Sequence, residues 1–146
     1  MTVNSSIPIL IELTRRKSDK GAIQLSQSNA DYKQELEKLA LLEDYRNHYG
    51  EQLEIKMSSG LNISIYNNYQ TFLSNLNKAV MQQQHAVYCS LQIVENYRNE
   101  WLRYEKERLS FNTLKNRNQL VIRTNENKTE QKQNDELSSR AQQVKL

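Results

Sequence analysis

His48 and His85 are the only imidazoles in this 146-residue chain, and Cys89 is its only thiol. A nucleophilic or general-base centre needs such a group beside a partner that orients it, in a concave site that excludes water. Both histidines read as solvent-facing residues on helices, with no acid–base companion. Cys89 falls one step off an apolar stripe and reads as a small, half-buried side chain, not a nucleophile. Glu35, Glu37, Glu43 and Asp44 read as a solvated acidic face, not a carboxylate pair. The chain has no glycine-rich phosphate loop and no Cys/His cluster at metal-ligand spacing, so neither cofactor nor metal is expected. The expectation is a protein that is not an enzyme.

The elements that carry these residues are helices. Apolar residues make up 37% of the chain, below the roughly 45–50% of ordinary globular domains, and there are one Pro and three Gly. A thin apolar supply with few breakers suits long helices sharing a narrow seam better than a spherical core. A single cysteine cannot close an intramolecular disulfide, so a reducing cytosol is expected. Ile7-Pro8-Ile9-Leu10-Ile11 is too short for a secretory or spanning segment and has no basic region before it.

Residues 1–6 are expected to be disordered, with a first helix over about 8–57 that tolerates Pro8 in its opening turn. Its stripe reads Leu25, Tyr32, Leu36, Leu39, Leu42, Tyr45, Tyr49, Leu53, Met57. Gly50 interrupts it without a local reason. Ser58-Ser59-Gly60-Leu61-Asn62 forms the break, within a turn over about 58–64. There Gly60 is placed to take a left-handed C-cap, and Asn62 or Ser64 to cap the next helix. The second helix, about 65–125, reads Tyr69, Leu73, Leu76, Val80, Gln83, Val87, Ser90, Val94, Tyr97, Trp101, Tyr104, Arg108, Phe111. That is the 3.5-residue repeat of a left-handed coiled coil. Glu35–Lys38 and Arg103–Glu107 stand at helical ion-pair spacing. A polar tail of 126–146 follows, either continuing as solvated helix or ordering only on a partner. The expected fold is all-α: one coiled-coil domain over 1–146, a long two-helix antiparallel hairpin.

In such a hairpin, residues at equal height have numbers with a constant sum. Tyr49 with Phe72, Tyr45 with Leu76, and Leu42 with Ala79 each add to 121. These layers hold more aromatic surface than two helices can cover, which suggests a protein contact. Charge is uneven as well. Residues 1–20 and 98–123, side by side at the open end of a hairpin, carry eleven bases against five acids. Arg15, Arg16, Lys17, Arg103, Lys106 and Arg108 are the candidate contacts there. Trp101, Tyr97, Tyr104 and Phe111 read as seam. A nucleic-acid surface is disfavoured, because Glu100, Glu105 and Glu107 interrupt the basic run.

Several elements together resemble the flagellar type III export protein FliJ family. They are Asp44-Tyr45-Arg46-Asn47-x-Tyr49, Met57-x-x-Gly60, and Asn68-Tyr69-Gln70-x-Phe72-Leu73-x-x-Leu76-x-Lys78-Ala79. Trp101 followed by charges, and Asp135-Glu136-Leu137-x-x-Arg140-Ala141, extend the match over about residues 36–145. The resemblance implies a component of flagellum biogenesis and motility, cytoplasmic and peripherally associated with the inner membrane at the flagellar base. It implies contacts with the export ATPase, the cytoplasmic linker of the export gate, and export chaperones. The family's gate-contacting surface falls on Leu42, Tyr45, Tyr49, Phe72, Leu76 and Ala79. Lys38 and Gln83 depart from the family pattern, where relatives commonly carry glutamine and histidine. The alternatives from other classes are a self-associating structural coiled coil and a basic hairpin that binds nucleic acid.

Overall fold

The computed structural model describes residues 2–144, and side chains from Ser6 onward. Helix α1 runs Thr2–Ser58 and α2 runs Ile63–Val144; no strand occurs among the described residues. The helices are antiparallel, a helical hairpin: Glu35 meets Gln83 and Tyr49 meets Phe72, so positions rise along α1 as they fall along α2. Length follows from composition, since few glycines and one proline leave little to interrupt 57 and 82 residues of helix.

α1 begins at Thr2, ahead of the expected start at Pro8, so the segment expected to be disordered is helical from Thr2; Met1 lies outside the described residues. Pro8 therefore sits inside the helix and withholds the N–H that the Asn4 carbonyl would otherwise accept. α2 likewise continues through the region expected as a polar tail; Lys145 and Leu146 lie outside the described residues. Every residue from Gln119 to Val144 is exposed there.

The break between the helices is short because its residues supply the caps. Gly60 takes φ +88°, a left-handed conformation, and its N–H reaches the Met57 carbonyl at 3.3 Å. Asn62 then caps α2: its side-chain oxygen accepts from the Ser64 N–H at 3.3 Å, and its carbonyl from the Tyr66 N–H at 3.0 Å.

Packing divides the chain into two units. In the unit Lys20–Trp101, Leu53, Val80, Val94 and Ser28 are buried, and the two valines are only 1% exposed. The least-exposed positions of α2 here keep the expected order of Tyr69, Leu73, Leu76, Val80, Gln83, Val87, Ser90, Val94, Tyr97 and Trp101. On α1 the stripe corrects the expectation. Leu36, Tyr45 and Met57 are exposed, while Ser28, Glu35 and Arg46 take places on the covered face. A strict 3.5-residue repeat, needed to follow the partner helix, overrides the apolarity of individual side chains. Gly50 has open space around its Cβ direction, so no close approach explains it.

The other unit combines residues up to Asp19 with those from Leu102 onward. Ile7, Thr14 and Ser18 are buried in it. The Thr14 hydroxyl donates to the Leu10 and Ile11 carbonyls at 2.9 Å, and the Ser18 hydroxyl donates across the seam to the Glu105 carboxylate. Buried polar groups are tolerated where they are paired in this way.

Candidate functional site

Two clusters, one in each unit, carry the candidate binding residues. In Lys20–Trp101 the centre is an aromatic pair. Tyr49 and Phe72 meet edge to face, with ring centroids 4.7 Å apart and planes at 66°. That arrangement sets the positive ring edge against the negative ring face. Tyr49 projects from the covered side of α1, whereas Phe72 stands one step beyond the α2 seam residue Leu73. A helix pair covers only a narrow stripe, so the second ring cannot be fully buried. Phe72 stays 43% exposed and Tyr45 49%, while Leu42, Leu76 and Ala79 are half-buried.

Tyr49, Asn68, Tyr69 and Phe72 line an open groove of about 260 Å³ beside the turn. The Lys56 ammonium donates to the Tyr69 hydroxyl at 2.5 Å and lies 4.9 Å from that ring's centroid. Asn68, Tyr69 and Lys56 were not among the candidate binding residues. Tyr69 reads as seam from its spacing, and only the tyrosine beside the asparagine in the Asn68-Tyr69-Gln70 element hinted at more. Farther from the turn, the Gln83 amide donates to the Glu35 backbone carbonyl at 2.9 Å and to its carboxylate at 2.6 Å. The Lys38 ammonium lies 3.5 Å from the same carboxylate. Lys38 and Gln83, the flanking positions that depart from the pattern the sequence resembles, thus converge on one residue.

In the other unit the basic candidates prove unequal. Arg15 grips Glu12 with two N–H groups, at 2.7 and 3.0 Å, and reaches Asp19 at 3.4 Å; Arg16 joins Glu12 at 3.2 Å. Hydrogen bonds from Arg15, then Arg16, hold the Glu12 carboxyl down from 4.5 to about 2. Arg108 pairs with Glu105 at 2.9 Å. That contact, followed by the Ser18 hydroxyl, lowers the Glu105 carboxyl, while the same acids raise the Arg15 and Arg108 guanidiniums. Arg103 lies over the Tyr104 ring, 5.3 Å from its centroid, in place of the expected pair with Glu107. Among the described residues, Lys17, Arg103 and Lys106 make no ion pair and remain exposed. The unit still carries thirteen bases against eight acids, whereas Lys20–Trp101 carries seven against nine.

The remaining chemically capable residues are placed as follows. His48 and His85 are exposed. Cys89 is exposed, not half-buried as expected, because the covered stripe passes through Val87 and Ser90 on either side of it. Its sulfur lies 3.5 Å from His85 Nε2 one helical turn away, so His85 is not without a neighbour. Among the described residues there is no group of three potential metal ligands, and no helix is long and apolar enough to cross a membrane.

The flagellar FliJ protein family model matches residues 6–146. The flagellar FliJ protein of Escherichia coli (strain K12) is 31% identical over 142 residues, covering 97% of this chain and 96% of that protein. The flagellar FliJ protein of Salmonella typhi is 30% identical over the same length and the same shares. No solved structure matches the chain. A family match over nearly the whole chain, with relatives of which 96% of the length is covered, assigns the protein to the flagellar FliJ protein family.

Proposed function

We propose that this chain couples the flagellar export ATPase to the export gate as a stalk-like coiled coil, and helps recycle export chaperones. Membership of the family supports the coarser frame, a component of flagellar protein export and not a member of a known enzyme family. Within that frame, Leu42, Tyr45, Tyr49, Phe72, Leu76 and Ala79 are the surface for the gate's cytoplasmic linker. Arg15, Arg16, Lys17, Arg103, Lys106 and Arg108 engage the ATPase. Work at the membrane is then peripheral, through the gate.

The observation that carries this reading is the Tyr49–Phe72 pair with Phe72 and Tyr45 left nearly half in water. Large rings held in place yet uncovered are characteristic anchors of protein interfaces. The nucleic-acid alternative gains little support, since Glu12 and Glu105 sit among Arg15, Arg16 and Arg108 and repel phosphate. The test is calorimetric titration of purified gate cytoplasmic fragment into wild type and into Tyr45→Ala, Tyr49→Ala and Phe72→Ala. Binding weakened at least tenfold with helix content unchanged supports the assignment. Unchanged affinity in all three would remove it, and self-association lost in those variants, seen by light scattering, would favour the structural scaffold.

A further inference from the structure

We propose that Glu35 and Gln83 pin the register of the hairpin, and so position Tyr49 against Phe72. A seam with a 3.5-residue repeat does not define its own alignment. Shifting the pairing constant by seven preserves which side chains face inward, and the turn then migrates by only three or four residues. That stretch of helix is easily surrendered here. Ile55, Met57, Ile63 and Ile65 flank the turn and are all exposed, and Leu53 is the last buried residue of α1. Gly60 and Asn62 favour one turn, yet they cap through few bonds at exposed positions.

Gln83 supplies what the apolar layers lack. Its amide makes two bonds to Glu35, one to the backbone carbonyl and one to the carboxylate, across helices 48 positions apart in sequence. The carboxylate is largely covered, with 27% of the Glu35 side chain exposed, and Lys38 holds its other oxygen from the same helix. Val80, 1% exposed, fills the neighbouring layer toward the turn. In a shifted register Gln83 and Glu35 would each face an apolar or mismatched layer, and a covered polar group without a partner is costly. A single polar position that selects alignment at some expense of stability is well attested in coiled coils. This pair lies fourteen positions along α1 from Tyr49 and eleven along α2 from Phe72, all within Lys20–Trp101. The pin therefore acts on the ring pair through register, touching neither ring. The inference is independent of which partner the rings meet.

The experiment uses the full chain with Tyr and Phe selectively labelled, and reads the nuclear Overhauser contact between the Tyr49 and Phe72 rings. Wild type is expected to show one set of ring signals with that contact present. Glu35→Leu/Gln83→Leu leaves no orphaned polar group, so it is expected to fold with equal or higher Tm. The ring signals should nevertheless split into more than one set, with the Tyr49–Phe72 contact weakened by half or more. Gln83→Leu alone should split the signals too, and Glu35→Gln/Gln83→Glu, which restores an amide–carboxylate pair, should return most of the population to one set. A single set with the contact intact in the double leucine variant overturns the proposal. So does a Gln83→Leu protein that only melts earlier while keeping one register, because the pair would then be a stability contact alone.

Discussion

Phe72 meets Tyr49 at 4.7 Å between ring centroids and still leaves 43% of its surface to water. One ring thus fixes the other on a hairpin too narrow to enclose both. The substitution energetics should show this division directly. Tyr45→Ala is expected to change stability by no more than about 0.5 kcal/mol. Phe72→Ala should cost about 1 kcal/mol, the value of the lost ring pair. Val94→Ala, at a site 1% exposed, should cost about 2 kcal/mol. Thermal unfolding followed at 222 nm by circular dichroism gives the order, and Phe72→Ala melting below Val94→Ala would place Phe72 in the seam.

Gly50 and Gly60 should respond in opposite directions. Gly50 lies within α1 with open space where a Cβ would go, so Gly50→Ala is expected to stabilise by about 0.5–1 kcal/mol. Gly60 also has open space, but its φ of +88° strains any side chain, so Gly60→Ala should cost about 1 kcal/mol or more. Urea midpoints for the two variants, read against wild type at equal slope, check the pair.

Acid should weaken the unit that contains Glu12 and Glu105. Both carboxyls are lower in the folded state than in an unfolded chain, Glu12 at about 2. A depressed carboxyl contributes stability that is present above its unfolded value and lost as pH falls toward its folded value. For Glu12 the window runs from about 4.5 down to about 2. Glu105→Gln and Glu12→Gln together should flatten the fall in Tm between pH 5 and 2.5 relative to wild type. An unchanged slope would mean that carboxylates elsewhere govern it.

ATPase stimulation tests the basic cluster at its free and its engaged members. Lys17 and Lys106 are unpaired among the described residues, while Arg15 and Arg16 share Glu12. Lys17→Glu/Lys106→Glu is expected to reduce stimulation several-fold at low salt, with a smaller difference as ionic strength shortens the reach of charge. Arg16→Ala should do less, since Arg16 is already paired with Glu12. Stimulation by both variants equal to wild type at every salt concentration would remove the basic cluster from the proposed ATPase contact.

The turn and the seam of the second helix were legible in the residues themselves. Gly60 and Asn62 are cap residues by their own conformational chemistry, and each takes that role. The α2 seam was legible from Tyr69 onward because its interruptions, Gln83 and Ser90, fall on the repeat and leave its phase intact. On α1 the apolar residues misled. Leu36, Tyr45 and Met57 lie one step off the covered face, while Ser28, Glu35 and Arg46 lie on it. Sequence patterning weighs each helix by its own hydrophobicity, so it assigns a leucine to the seam before a glutamate. Glu35 falls there by the repeat, and Gln83, 48 positions away, supplies the hydrogen bonds that make its cover tolerable. The same holds for charge. A count of bases made Arg15, Arg16, Lys17, Arg103, Lys106 and Arg108 equivalent, whereas side-chain reach separates those held by Glu12 and Glu105 from those left to water. Local chemistry determined the helices, their caps and their common period. Which side chains share a layer, and which charges stay free, was decided by pairing between distant segments, where each partner's cost of burial depends on the other.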